Sequence, residues 1–154
     1  MAYEFYVTIE GSKSGVIKGD VIKRGHEGQI AGLAFDYEVM IAQSRSGSGQ
    51  ATGKRQHSPI TITKRWDVAT PRLFQVLVTG ERLKSVLIEF EGADRKTGKK
   101  LIYHTVKLTN ASITDIFQYA DADTGELEDV SFVFQKIEIE NKISKTVAVD
   151  DTTK

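Results

Sequence analysis

The sequence predicts a mainly β domain: two antiparallel sheets packed as a sandwich or barrel, with one short α-helix. Three observations carry that class. Apolar residues alternate with period two in stretch after stretch, Asp- and Gly-bearing turns fall where the stretches stop, and one Thr-Pro segment switches to helical spacing.

The first stretch places Tyr3, Phe5, Val7 and Ile9 on one side, with Glu4, Tyr6, Thr8 and Glu10 on the other. Leu33, Phe35, Tyr37, Val39 and Ile41 form a second stripe, opposed by Asp36, Glu38 and Met40. Each reads as a strand with one buried and one wetter face. Between Ser44 and Gly53 the chain is rich in Gly and Ser without apolar periodicity, which predicts an exposed loop. Thr70 is placed to cap a helix through its hydroxyl, and Pro71 suits a first-turn position, where its missing N–H would have no intrahelical partner. Leu73, Phe74, Val76 and Leu77 follow at helical spacing, and Gly80 supplies the stop. That face is expected to lie on the sheet, with Phe74 in the core.

Val86, Ile88 and Phe90 make a third stripe; Ile102, Val106 and Leu108 make a fourth, broken by His104. The turn Asp94–Gly98 joins them as a hairpin, and Asp121–Gly125 precedes the last strand in the same way. In that strand Val130, Phe132 and Phe134 share a face, but the next apolar residues are Ile137 and Ile139. The odd step predicts a bulge near Gln135-Lys136, or a strand passing between sheets. Roughly eight strands result. Residues 1–140 read as one domain and 141–154 as a polar C-terminal tail open to fraying.

Composition narrows the function classes. The 154 residues hold 21 Lys+Arg against 21 Asp+Glu, so there is no positive excess of the kind that binds nucleic acid. Absence of cysteine removes disulfides, thiolate nucleophiles and cysteine zinc sites. The first ten residues show neither a basic n-region nor an apolar h-region, so no cleaved leader is expected. No apolar stretch approaches the ~18 residues of a membrane-spanning helix, so membrane insertion is not expected.

Catalytic and cofactor motifs fail on spacing. Gly53-Lys54 invites a phosphate-loop reading, but position 48 is Ser where a Gly is needed, and position 55 is Arg where Ser or Thr would hold magnesium. His26, His57 and His104 are far apart and match no metal-ligand spacing; His104 is expected to make a structural hydrogen bond. No GxSxG elbow occurs, and the Glu89/Glu91 and Glu138/Glu140 pairs follow from strand alternation. No enzyme activity, cofactor or metal is expected. The alternative to a structural building block is a β-sandwich that binds carbohydrate or another small ligand, for which Trp66 is the one aromatic platform candidate.

The run Gly49–His57, then Pro59–Lys64, Asp67 and Ala69-Thr70-Pro71 with Leu73, resembles the haemolysin-coregulated protein (Hcp) family. So do Tyr3–Gly11, Tyr103–Ala111 and Glu128–Ile137. The resemblance covers roughly residues 3–140. It implies a fold similar to phage tail-tube proteins and a role as a subunit of the inner tube of bacterial type VI secretion. In that family six subunits close into a ring, rings stack into a hollow tube, and a contractile sheath drives the tube and its spike into another cell; some members hold effector proteins. The implied route is synthesis in the cytoplasm and export without a cleaved signal. By the same resemblance the loop from about Ser44 to Lys54 projects toward a neighbouring subunit. Arg45, Gln50, Thr52, Lys54, Arg55, Gln56 and His57 then become candidate subunit or ring contacts. Thr8, Asp36 and Glu38 become candidates for the lumen wall or ring contacts. The chain departs from many relatives in lacking tryptophans near the end of its last strand and at its C-terminus.

Overall fold

The computed structural model describes residues 4–43 and 51–154, apart from the side chains at 42–43 and 51–52. Arg45 and Gln50, and most of the Ser44–Gly53 stretch, lie outside the described residues. Among the described residues eleven strands and one helix follow in order: β1 Phe5–Gly11, β2 Gly15–Ile17, β3 Ile30–Gly32, β4 Ala34–Asp36, β5 Val39–Gln43, β6 Ala51–His57, β7 Ile60–Arg65, α1 Thr70–Thr79, β8 Leu83–Ala93, β9 Lys100–Asp121, β10 Gly125–Asn141 and β11 Thr146–Asp151. The mainly β, antiparallel class with one short helix is the one the alternation predicts. The strands outnumber the expected eight because β2, β3 and β11 are too short or too polar to show a stripe, and because the stripe from Leu33 to Ile41 is divided between β4 and β5.

A nine-stranded sheet runs β2-β1-β8-β9-β10-β7-β4, with β3 beside β1 and β11 beside β10; among the described residues β5 and β6 pair only with each other. The segment 30–36 reaches both ends of this path: β3 pairs with β1, β4 pairs with β7, and Leu33 N–H donates to the Thr63 carbonyl at 2.7 Å. The core fills the space inside. Val7, Ile9, Ile60, Ile62, Leu73, Leu83, Ile88, Leu108, Val130 and Phe132 are all buried in it. Phe5 packs its ring 5.1 Å from Phe90 and 6.4 Å from Phe35. Gly32 lies flat against this cluster; a Cβ there would sit 2.1 Å from the Phe5 ring.

Both expected turns form. Asp94 Oδ1 accepts the Lys96 N–H, and Asp121 Oδ1 accepts the N–H groups of Asp123 and Thr124; Gly98 and Gly125 take φ of 70° and 75°. Such positive φ is open to glycine because it has no Cβ.

Five local expectations are corrected. The helix N-cap is Ala69, without a side-chain cap bond. Thr70 Oγ1 instead accepts the Asp67 N–H, and Asp67 Oδ1 accepts the Ala69 N–H, so an Asx-type turn leads the chain into the helix. Phe74 is 52% exposed, and Leu73 and Val76 supply the buried face. The stripe through Val39 and Ile41 leaves the core, because β5 belongs to the separate hairpin. The register shift in β10 lies at Ser131/Phe132, not at 135–136. Between Phe132 and Lys136, β10 exchanges β7 for β11 as its second neighbour, which accounts for the switch of apolar face. Asn110 takes φ 57° there and donates its amide to Gln135. Finally, the tail expected to fray forms β11, held by backbone pairing to β10, which needs no apolar pattern.

Candidate assembly surface

The β5–β6 hairpin is the element that stands apart from the main sheet, and its attachment is chemical. Arg55 Nε donates to Asp150 Oδ2 at 2.6 Å, and its Nη2 donates to the carbonyls of Asp151 and Lys154. His57 Nε2 meets the same Asp150 oxygen at 2.7 Å, while Nδ1 meets Tyr37 OH at 2.6 Å. The rings of Tyr37 and His57 lie nearly parallel, and both contact Phe134 edge-on. The last strand therefore grips the hairpin root. Hydrogen bonds from Arg55 and then His57 hold the Asp150 carboxyl below its ordinary range. Burial, followed by the Asp150 charge, pushes the Tyr37 phenol up. A cavity of about 210 Å³ beside the grip is lined by Val39, Ile137, Ile139 and Val149.

Of the sequence-derived contact candidates, Lys54 and Gln56 point to solvent, whereas Arg55 and His57 are occupied by Asp150. The Thr52 side chain lies outside the described residues, as do Arg45 and Gln50. Further along the hairpin, Val39, Met40 and Ile41 are about half exposed. Thr8 is partly buried and accepts from Gln29, while Asp36 and Glu38 are exposed. Tyr37 and Asp150 were not singled out from sequence. Tyr37 counted only as a core stripe member, and Asp150 lies 93 residues from His57, with no local signal.

Two further polar clusters are built into the fold. Lys64 and Glu128 are both fully buried and joined at 2.5 Å; Lys64 Nζ also donates to Asp67 Oδ1 and to the Arg65 carbonyl. Thr70 Oγ1 donates to the Glu128 oxygen that Lys64 binds, and Gln118 Nε2 donates to the other. Burial pushes the Glu128 carboxyl up, but hydrogen bonds from Lys64, Gln118 and Thr70 outweigh it and leave it below the ordinary range. The cluster ties β7, β9 and β10 to the helix start. In the second cluster, His26 stacks on Tyr6 at 3.8 Å and bridges Gln29 and Glu91, and Lys23 closes the other side of Glu91 at 2.6 Å. It pins the 18–29 loop onto β1 and β8.

The three histidines stay apart, in separate environments. His104 lies beside the rings of Phe90 and Tyr103, and among the described residues its side chain makes no hydrogen bond of the kind expected. No group of His, Cys, Asp or Glu among the described residues could hold a metal ion. Trp66 is half exposed; its indole N–H donates to the Leu127 carbonyl, and it lines a cavity of about 360 Å³ with Tyr6, Lys23 and Arg65.

Rigid β packing, ionised groups bound to structural partners and one projecting hairpin define a building block that presents surfaces. The profile of the family described as "Type VI secretion system effector, Hcp" matches residues 6–140, and the chain belongs to that Hcp family. Members are secreted tube proteins of type VI secretion, and the family is not one of enzymes. The chain is similar to the major exported protein of Pseudomonas aeruginosa, with 36% identity over 167 residues covering 98% of this chain and 96% of the relative. Among solved structures it is similar to the Hcp1 protein of E. coli EAEC 042 (26% identity, TM-score 0.88, 98% and 99% of the two chains). It is also similar to the secreted protein Hcp3 of Pseudomonas aeruginosa (32% identity, TM-score 0.81, 97% and 98%).

Proposed function

We propose that six copies of this chain close into a ring, that rings stack into a hollow inner tube, and that the tube carries effector proteins during contractile delivery by sheath and spike. The observation that carries the self-assembly reading is the β5–β6 hairpin. A two-stranded ribbon is marginal in water by itself, yet this one exposes Val39, Met40 and Ile41 and, among the described residues, pairs with no further strand. A second copy supplies the missing surface. Lys54, Gln56 and the stretch holding Arg45, Gln50 and Thr52 then face that copy, while Arg55 and His57 position the hairpin from inside the subunit. The protein is made in the cytoplasm and leaves the cell as part of the tube.

Sedimentation and negative-stain electron microscopy test the reading. A six-copy mass with a central channel is expected. A strictly monomeric protein at high concentration, with no rings on the grid, sinks it. A ligand-binding reading retains one observation, the half-exposed Trp66 beside its cavity; saturable binding of a glycan by isolated rings would favour it.

A further inference from the structure

We propose that copies of this chain meet head to tail through two oppositely charged ends of the β9–β10 ribbon, the basic end of one copy seating the acidic end of the next. The proposal rests on the tube reading for the axis of repetition and places the contact between successive rings.

The acidic end is a run without cations. From Leu108 to Gln135 there is no Lys or Arg, and there are six acids: Asp115, Asp121, Asp123, Glu126, Glu128 and Asp129. Lys64 neutralises Glu128 inside the protein. Asp121 folds its own turn, and Asp129 accepts from Thr63 and Tyr119; neither forms an ion pair among the described residues. Among the described residues Asp115, Asp123 and Glu126 form no ion pair. Arg65, opposite Leu127 in β7, is a cation beside this end and leaves it net negative.

The basic end lies at the other extreme of the same strands. The β8–β9 turn carries Arg95, Lys96, Lys99 and Lys100, and the β10–β11 turn carries Lys142 and Lys145. Asp94 is the acid of these two turns, and its Oδ1 accepts the Lys96 N–H. None of the six cations forms an ion pair among the described residues. The turns are neighbours: Lys142 N–H donates to the Tyr103 carbonyl at 2.8 Å. A cleft of about 590 Å³ opens between them, floored by Leu101, Tyr103 and Ile143 and rimmed by Arg95 and Lys96. Its occupant would be a narrow, acidic, small-residue turn, and Ala122-Asp123-Thr124 of a second copy has that character.

The arrangement has a direction. With formal net charge +0, two copies neither attract nor repel as wholes. The separation of charge along β9, ~70 Å of contour at ~3.3 Å per residue, favours basic end against acidic end and opposes like against like. A heterologous contact of this kind repeats in one direction, and where its rotation does not close a ring it runs on as an open stack.

The test uses the full-length protein and reads ring mass by sedimentation and stack length by negative-stain microscopy. Lys96→Glu with Lys99→Glu reverses the basic end; Asp123→Lys with Glu126→Lys reverses the acidic end and spares Asp121. Either pair should raise the concentration needed for stacking at least about tenfold and leave the ring mass unchanged. All four together restore complementarity and should restore stacking. Salt at about 1 M, where the Debye length is ~3 Å, should dissolve the stacks of the unsubstituted protein. Rings that stack normally with one end reversed, rings that fail to form with one end reversed, or intact rings whose stacking the fourfold swap does not recover would each overturn the proposal. If the unsubstituted protein gives no six-copy mass, the tube reading falls by itself. The end-to-end contact is then judged by whether open-ended association is lost on single reversal and rescued by the fourfold swap.

Discussion

The stretch from Lys54 to Leu73 divides at Ser58 into two halves that handle charge in opposite ways. In the first, Arg55 and His57 sit on a hairpin near water and share one carboxylate, Asp150, from the far end of the chain. In the second, Lys64 is sealed from water with Glu128, Asp67 and Thr70 around it, and no buried side-chain polar atom is left without a partner among the described residues. The contrast teaches where an ion pair is structural and where it is adjustable. A sealed charge stripped of its partner keeps its desolvation cost, whereas a pair near the surface can trade its partner for water.

The largest expected effect tests the sealed half. Lys64→Ala leaves two carboxylates facing each other in the core and should destabilise by about 3–5 kcal/mol, read from urea unfolding; a loss under about 1 kcal/mol would show that water already reaches the cluster. Leu73→Ala should cost about 2–5 kcal/mol by cavity formation, while its neighbour Phe74→Ala should change stability by no more than about 0.5 kcal/mol, as for exposed sites. Equal losses at the two positions would break the assignment of helix faces. Asp150→Asn should lower the unfolding midpoint far less than Lys64→Ala and speed amide exchange across 54–57, because the hairpin root alone loses its grip. Acid should act on both halves with one sign. Glu128 and Asp150 both sit below the ordinary carboxylate range, so their contributions are complete above the unfolded-state value of ~4 and disappear as pH falls through the lower folded-state values. Chemical denaturation from pH 6 downward, with Glu128→Gln and Asp150→Asn removing one contribution each, measures the two losses.

Much of this was legible because strands announce themselves by alternation and turns by Asp and Gly. The helix was legible at its ends, through Pro71 and Gly80, but not in its orientation. Leu73/Val76 and Phe74/Val78 are two apolar stripes on one short helix, and periodicity cannot say which meets the sheet. The buried cluster left a trace that alternation could have caught: Lys64 continues the inward series Ile60, Ile62 and so had to be buried or end the strand. Its partner Glu128, 64 residues away, left none. β11 escaped notice because backbone pairing at a sheet edge imposes no pattern on side chains. The most diagnostic stretch of the sequence thus turned out to be split between a surface hairpin and a core lock.

The segment 30–36, which pairs with β1 on one side and β7 on the other, also fixes an order of events in time. It joins strands more than 50 residues apart, and contacts so distant along the chain make folding slow, so it is expected to close late. Gly32→Ala, which drives a methyl group into the Phe5 ring, should then accelerate unfolding in stopped-flow experiments and leave the refolding rate nearly untouched. A slowed refolding arm would place closure before the barrier. If closure is late, a newly made subunit with an open seam has no finished wall to offer a neighbour, and assembly waits on residues 30–36.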